Sequence, residues 1–246
     1  MLKKTIRDSD VIIEVVDARN IEGTRNPKLE KWISEKLGKE LMIVASKSDL
    51  VDEEALKHKL KSLPFKTAYF SYSKRKGAGS IKKLLYVLSY YLKKKANKDK
   101  IKVGIVGYAN IGKSSLIDLL VRGKKAKNSP VPGFTRGVKW IKLRDDILLI
   151  DTPGIFENKE LAVDKCNIDP EKTETLDYVI DFLENYRNKL SNLEELTGTV
   201  FENPLQFLKD YAKKRGFIKK GGELDLERAA KEIVRLWNQG KLRVHI

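Results

Sequence analysis

The chain has 246 residues, with 50 Lys and Arg against 34 Asp and Glu and a formal net charge of +16. Its hydrophobic fraction of 41% suits one or two globular cores and excludes a disordered chain. A single cysteine, Cys166, excludes a disulfide framework, and no apolar run approaches the roughly 20 residues of a membrane span. The chain starts without an apolar signal core, so we expect a reducing cytoplasmic compartment and no membrane partner.

The positive charge is concentrated in the first part of the chain. Residues 159–246 hold 16 basic and 16 acidic side chains, so the whole excess lies in residues 1–158. Residues 61–102 hold 13 Lys and Arg against one acid, and residues 122–139 hold six against none. This density favours a polyanion such as RNA as the partner. A solvated helix face or a thermophile-like charged surface is the alternative.

Short β-branched runs alternate with helical segments up to residue 151. This alternation is typical of an α/β protein with a mostly parallel sheet and helices on both faces. The predicted strands are Val11–Asp17, Leu41–Ser46, Thr67–Ser71, Lys102–Val106, Val138–Leu143 and Ile147–Asp151. The predicted helices are Asn26–Leu37, Asp52–Ser62, Ile81–Tyr91 and Lys113–Val121, and the polar run Lys93–Lys100 predicts a linker.

Only helical patterns follow Gly154. Thr173–Leu190 carries apolar residues at helical spacing, Asn203 and Pro204 predict the start of a helix that stops at Gly216, and a last apolar stripe ends before Gly240. We therefore predict an α/β domain over residues 1–158 and a small all-α domain over residues 159–246.

A phosphate-binding motif, G-x-x-x-x-G-K-[ST], occupies residues 107–114 between a predicted strand and a predicted helix. Its glycines let backbone amides converge on phosphate oxygens, and the helix start adds its dipole. We predict that Lys113 bridges the β- and γ-phosphates and that the Ser114 hydroxyl binds Mg²⁺. The predicted nucleotide contacts of this loop are Asn110, Ile111, Gly112, Lys113, Ser114 and Ser115.

A second motif, Asp151-Thr152-Pro153-Gly154, ends an apolar strand. Asp151 is placed to hold Mg²⁺ through water, and the Gly154 amide is placed to contact the γ-phosphate. Thr135 lies between the two motifs, as a threonine that closes over the metal must. We predict Ser114, Thr135 and Asp151 as Mg²⁺ ligands, Asp151 and Gly154 as further nucleotide contacts, and Lys113, Thr135 and Gly154 as catalytic residues.

Base recognition is predicted to come earlier in the chain. Ser46-Lys47-Ser48-Asp49 resembles the N-K-x-D element that reads guanine: the Asp49 carboxylate accepts two hydrogens that adenine lacks, and the Lys47 stem lies over the ring. Ser46 replaces the usual asparagine, which alters the expected base contact and the link to the phosphate loop. Ser71 ends the next predicted strand, and Tyr72 and Ser73 follow it, at the place where an S-A-K-like loop contacts the base.

The order of these motifs differs from that of an ordinary small GTPase, in which the phosphate loop comes first. Here the base element precedes it, so the chain resembles the circularly permuted GTPases. Within them it is similar to the YlqF/YawG (RbgA-like) family of large-ribosomal-subunit assembly GTPases. The residues that carry the likeness are Asp17-Ala18-Arg19, residues 107–115, Pro132–Thr135, Asp151–Gly154 and residues 211–242.

The resemblance implies that GTP is hydrolysed to GDP without the usual catalytic glutamine, since Ile155 follows Gly154. It also implies slow turnover that a partner raises, and a K⁺ ion at Asn110 beside GTP or GDP and Mg²⁺. The expected partners are the large ribosomal subunit or its precursor and rRNA, without DNA, and the default expectation is a monomer.

Two other functions are considered. One is an RNA-binding or ribosome-associated scaffold in which GTP or GDP is mainly structural. The other is an ATP-using P-loop kinase, which needs no aspartate at position 49.

Overall fold

The structure is a computed structural model that describes residues 2–96, 98–121, 140–151, 162–165 and 168–246. Two compact units divide the chain: Met1–Asp49 with Glu53–Phe156, and Leu50–Asp52 with Glu157–Ile246. The predicted boundary after residue 158 falls outside the described ranges, so the two predicted domains stay predictions. Within those ranges no helix is long and apolar enough to cross a bilayer.

A six-stranded sheet forms the centre of the first unit, in the order β3-β2-β1-β4-β6-β5. Every neighbouring pair is parallel except β5 and β6. All seven residues of β1 are buried, as expected of a strand covered on both faces. The predicted α/β class and mostly parallel sheet are confirmed. The strands are β1 Val11–Asp17, β2 Glu40–Ser46, β3 Lys66–Tyr69, β4 Ile101–Val106, β5 Trp140–Arg144 and β6 Ile147–Asp151.

Six α-helices of this unit lie in the described part of the chain. The first helix was not predicted from the sequence because it is short and has no long apolar stripe. Among its described side chains, Ile6 is the large apolar one that is completely buried. The predicted helix over Asn26–Leu37 is a short helix continued by a π-turn at Trp32–Lys36, and the Asn26 side chain caps its start. The helices are α1 Leu2–Asp8, α2 Ile21–Thr24, α3 Pro27–Lys31, α4 Glu53–Lys61, α5 Ala78–Ala96 and α6 Lys113–Val121.

The predicted linker over Lys93–Lys100 is wrong in its first half, because α5 continues to Ala96. Lys and Ala have high helix propensity, so a helix extends past its apolar stripe until a poorer helix former follows. The Lys93 ammonium also lies 3.3 Å from the Asp146 carboxylate, which fixes this last turn to the β5–β6 connection.

A buried carboxyl group lies inside this unit. The Glu14 side chain on β1 is 1% exposed, and its Oε1 accepts the Asn26 N–H at 2.9 Å. Its Oε2 has no hydrogen-bond partner among the described residues. Burial, and then the negative Glu30 carboxylate, raise the pKa of Glu14 well above its ordinary value. Glu30 itself is held by the Arg25 guanidinium at 2.7 Å. The folded chain therefore favours the protonated form of Glu14.

The second unit holds four helices in its described part. Asn203 caps its helix and Gly216 ends it in the left-handed conformation, as predicted. The predicted helix Thr173–Leu190 is shorter, and a further helix at Leu193–Thr197 was not predicted. Phe182, Tyr186 and Trp237 form an aromatic core with ring centroids 4.8 to 5.5 Å apart. The helices are α7 Leu176–Asn185, α8 Leu193–Thr197, α9 Pro204–Arg215 and α10 Leu226–Asn238.

The start of α7 is capped by a side chain from α10. The Glu227 carboxylate accepts the backbone N–H groups of Thr175 at 2.6 Å and Leu176 at 3.0 Å. It also accepts the Thr175 hydroxyl at 3.0 Å. A carboxylate at a helix start satisfies free donors and opposes the positive end of the helix dipole.

Candidate nucleotide-binding site

Three parallel strands bring the predicted motifs to one edge of the sheet. The carboxyl ends of the neighbours β2, β1 and β4 meet there, as ligand sites in open α/β sheets require. The base element follows β2, Asp17 ends β1, and the phosphate loop follows β4. Asp17 pairs in register with Ser46 across the β1–β2 ladder.

The phosphate loop turns through left-handed backbone conformations. Gly107 has φ +147° and Gly112 has φ +110°. A Cβ atom at Gly107 would lie 2.6 Å from the Val15 carbonyl oxygen, so only glycine fits at this position. Asn110 has φ +55°, which asparagine tolerates better than most residues. Turns of this kind form concave anion-binding nests.

Lys113 is the first residue of α6 and is only 7% exposed. Its ammonium folds back over the loop and donates to the Tyr108 carbonyl at 2.7 Å. The charge is thus held inside the loop, next to the positive end of a nine-residue helix. This arrangement fits a bound phosphate.

The remaining loop residues differ in exposure. Asn110 and Ser114 are exposed, Ser115 and Gly112 are half-buried, and Ile111 is completely buried. Ser114 is the second residue of α6, so its hydroxyl is at the helix start as predicted. Its metal-binding role, and that of Asn110 for K⁺, stay predictions.

The base element is joined to the phosphate loop by Ser46. Ser46 is buried, with only 1% of its surface exposed. Its hydroxyl lies 2.6 Å from the carbonyl oxygen of Ile111, which is 65 residues further along the chain. The Val16 carbonyl oxygen is also within reach, at 3.0 Å. The link to the phosphate loop is therefore made by serine in place of the usual asparagine.

Asp49 is oriented by the loop that follows β3. The Ser73 hydroxyl donates to the Asp49 carboxylate at 2.6 Å, and the Ser71 and Ser73 hydroxyls lie 3.0 Å apart. Burial raises the pKa of the Asp49 carboxyl, but the hydrogen bonds from Ser71 and Ser73 outweigh it and hold the pKa below its usual value. Asp49 is thus an ionised acceptor, as guanine recognition requires.

The structure adds a buried ion cluster that was not predicted from the sequence. The Asp17 carboxylate binds the Arg19 guanidinium at 2.7 and 2.9 Å and the Lys47 ammonium at 2.8 Å. The side chains of Asp17 and Arg19 are completely buried, and that of Lys47 is 15% exposed. Burial raises the pKa of Asp17, but Arg19 and then Lys47 lower it far below the usual range. Lys47, at φ +55°, is thereby fixed in a left-handed conformation that lysine disfavours.

A second contact that was not predicted involves Tyr72. Its hydroxyl donates to the Asp118 carboxylate on α6 at 2.6 Å, while the side chain stays 40% exposed. The loop after β3 is thus joined to the helix that follows the phosphate loop. A tyrosine in an S-A-K-like loop was the one sequence signal for this contact.

Several predicted site residues lie outside the described residues. Thr135 and Gly154 are among them, as is the predicted segment Pro132–Thr135. Of Asp151, the structure describes the backbone position at the end of β6, next to β4. The predicted Mg²⁺ ligand set and the predicted catalytic pair therefore stay predictions.

A phosphate loop of this geometry, tied to a guanine-type base element that precedes it in the chain, defines a nucleotide-binding protein of the P-loop GTPase class. Comparisons with known proteins agree. Residues 102–209 match the family described as 50S ribosome-binding GTPase. The GDP-bound and GNP-bound structures of YlqF from T. maritima superpose with TM-scores of 0.67 and 0.64 at 25% identity. They cover 99% of this chain and 96% and 94% of those chains.

Curated relatives match over nearly the whole chain. The GTP-binding protein MJ1464 of Methanocaldococcus jannaschii is 36% identical over 100% of this chain and 66% of its own length. Nuclear/nucleolar GTPase 2 of Arabidopsis thaliana is 34% identical over 98% of this chain and 43% of its own length. This chain belongs to the YlqF-like family of circularly permuted GTPases. It spans between 43% and 66% of the length of these two relatives.

Proposed function

We propose that this chain binds GTP, hydrolyses it to GDP and phosphate, and acts as a nucleotide-dependent switch in assembly of the large ribosomal subunit. The observation that carries the proposal is the 2.6 Å contact of Ser46 with Ile111, since it joins a guanine-type base element to a phosphate loop. A phosphate site and a base site in one continuous surface suit a nucleotide better than a free phosphate.

The triphosphate is assigned to the loop between β4 and α6. Lys113 and the helix start neutralise its charge, and Ser114, Thr135 and Asp151 are the residues that would hold Mg²⁺. When bound there, Mg²⁺ would offset the negative charge of the phosphates. Asn110 is the residue proposed for K⁺.

The guanine base is assigned to Asp49, with Lys47 and the loop of Ser71, Tyr72 and Ser73. The lowered pKa of Asp49 supports this role, because an ionised carboxylate accepts both hydrogens of the guanine edge. An adenine base offers no matching donor pair, so a preference for GTP over ATP follows.

Turnover is proposed to be slow for the chain alone. Ile155 stands where a water-orienting glutamine is usual, so the chain's own groups act by holding phosphate and neutralising charge. Lys113, Thr135 and Gly154 are the residues proposed for this work. Bound subunit and K⁺ are proposed to raise the rate.

The ribosomal role is supported by the relatives' names and by surface charge. One matching family is described as 50S ribosome-binding, and relatives include nucleolar GTPases. On α5, Lys83 and Lys94 are exposed, and Tyr90 between them is 72% exposed. Exposed lysines with an aromatic ring suit the phosphates and bases of rRNA. We propose that the chain performs this role in the cytoplasm and as a monomer.

The test is co-sedimentation of the chain with large ribosomal subunits at physiological K⁺, with a non-hydrolysable GTP analogue, GDP or no nucleotide. The switch predicts binding with the analogue and release with GDP, together with GTP turnover that subunits accelerate. Equal binding in all three states, without accelerated turnover, would support the RNA-binding scaffold instead. Absence of binding in every state would exclude the ribosomal role and leave nucleotide binding to be tested separately.

A further inference from the structure

A closed turn, the base loop of residues 71–76, joins β3 to α5. The backbones of Ser71 and Lys76 exchange two hydrogen bonds, at 3.2 and 3.0 Å. Within the loop, the Arg75 N–H donates to the Tyr72 carbonyl at 3.2 Å. These bonds close the loop on itself, so a pull on one of its side chains displaces the whole loop.

Two side chains of the base loop attach it to separate parts of the nucleotide site. The Ser73 hydroxyl donates to the Asp49 carboxylate of the base element at 2.6 Å. The Tyr72 hydroxyl donates to the Asp118 carboxylate at 2.6 Å. Asp118 lies on α6, the helix that starts at Lys113 of the phosphate loop. The base loop therefore extends from the predicted guanine site to the helix that follows the phosphate loop.

The Tyr72 bond differs in exposure from the Ser46 bond, which also joins the base side of the site to the phosphate side. Ser46, which reaches the Ile111 carbonyl oxygen, is 1% exposed, whereas Tyr72 is 40% exposed. Water can replace the partner of an exposed hydrogen bond, whereas a buried group that loses its partner remains without one. Of these two bonds, that of Tyr72 therefore opens at the lower cost, and its opening frees the base loop from α6 while Ser46 stays in place.

We propose that the Tyr72 hydroxyl is a positioning group that holds the base loop against α6 through Asp118 and thereby sets the rate at which GDP leaves the site. The proposal rests on the proposed binding of guanine nucleotides to this site. A nucleotide contacts the base loop and the phosphate loop together, so it dissociates faster when the two are free to separate. Inorganic triphosphate has no base and contacts the phosphate loop alone, so its affinity does not depend on Tyr72.

The experiment measures the release of radiolabelled GDP from the full chain after addition of excess unlabelled GDP. Tyr72→Phe keeps the ring and removes the hydroxyl, and we expect release to be about five-fold faster, the effect of one lost hydrogen bond. The association rate should change little, since the effects of single contacts fall mostly on dissociation. Tyr69→Phe is the matched control and should leave release unchanged. The Tyr69 hydroxyl also donates to a carboxylate, that of Glu53 at 2.8 Å, but this bond joins β3 to α4.

Two further measurements separate positioning from a general effect on the fold. In the first, inorganic triphosphate displaces radiolabelled GDP, and its inhibition constant should be the same for the wild type and for Tyr72→Phe. In the second, the acceptor is removed. Asp118→Ala should accelerate GDP release at least as much as Tyr72→Phe does. Tyr72→Phe should then add nothing in the Asp118→Ala background, because the bond is already lost.

Equal GDP release by the wild type and Tyr72→Phe would overturn the proposal, and if Tyr72→Phe did not fold, unchanged release from Asp118→Ala would do so. Acceleration by Tyr72→Phe in the Asp118→Ala background would also overturn it, because the hydroxyl would then act through another contact. Weaker binding of inorganic triphosphate by Tyr72→Phe would assign Tyr72 a general structural role instead. A wild-type chain that binds no GDP would overturn the proposed function as well, whereas unchanged release from a variant that binds GDP overturns this inference alone.

Discussion

The Lys47 ammonium lies 2.8 Å from the Asp17 carboxylate, which also holds the Arg19 guanidinium at 2.7 Å. Lys47 is the residue whose stem is predicted to cover the guanine ring. A buried carboxylate from the neighbouring strand thus sets the position of a base-binding side chain. The Asp17-Ala18-Arg19 sequence, which carries part of the family likeness, acquires a physical role from this contact.

Asp17→Asn is expected to reduce both stability and guanine-nucleotide affinity. The substitution removes the negative charge that faces the buried Arg19 guanidinium, and breaking a buried ion pair costs about 3 kcal/mol in comparable cases. Urea unfolding and GDP titration measure the two effects. Asp145→Asn is the control, because that carboxylate is 92% exposed. A variant that keeps wild-type stability and GDP affinity would contradict the role of Asp17.

Ser46→Ala is expected to weaken GTP and GDP binding alike by roughly five-fold, the effect of one lost hydrogen bond of about 1 kcal/mol. Its contact with the Ile111 carbonyl fixes the phosphate loop in both nucleotide states. Isothermal titration of both nucleotides measures the change. Ser89→Ala removes a similar hydroxyl bond, to the Tyr86 carbonyl at 2.9 Å on α5, and should leave nucleotide affinity unaltered. Loss of affinity in both variants would indicate a general effect on folding.

Asp49→Asn is expected to exchange a preference for GTP for one for xanthosine triphosphate. An amide donates where the carboxylate accepts, so it matches the carbonyl that xanthine has in place of the guanine amino group. Competition binding with GTP, ATP and xanthosine triphosphate measures the change. Unaltered GTP preference would remove Asp49 from the base site, and tight ATP binding by the wild type would favour the kinase alternative.

Lys113→Ala is expected to reduce GTP affinity on the order of 100-fold, since a charge-assisted contact to phosphate is lost. Lys36→Ala is the matched control because Lys36 is exposed and precedes the amino end of β2, whereas the phosphate loop follows the carboxyl end of β4. Equilibrium binding of a fluorescent GTP analogue compares the two variants. Equal affinities would show that the loop does not hold the phosphates.

Glu14→Gln is expected to raise the melting temperature at pH 8 and to have less effect at pH 5. The pKa of Glu14 is raised in the folded chain. The contribution of Glu14 to folding stability is therefore complete below the ordinary glutamate pKa of 4.5, and it is lost as the pH rises toward the folded pKa. An amide in this position stays neutral at every pH. Glu35→Gln, whose carboxylate is 60% exposed, serves for comparison. If Glu14→Gln changed the melting temperature equally at pH 5 and pH 8, Glu14 would not titrate in this way.

The central sheet was predictable because its strands are short β-branched runs set between helical segments, a pattern that local sequence carries. The phosphate loop was predictable for a similar reason, since all its residues are adjacent in the chain. The last turn of α5 was not, because its lysines show no apolar period although lysine favours helix. The contacts of Ser46 with Ile111 and of Asp17 with Lys47 join residues far apart in sequence, so they required the fold.

The cap that Glu227 places on α7 has a consequence for the order of events during synthesis. The carboxylate comes from 52 residues beyond Thr175, so α7 leaves the ribosome with its first amides unsatisfied. It acquires its cap only when α10 has emerged and docked. A chain shortened before Glu227 would therefore lose more than its last helix: α7 would fray at its start as well.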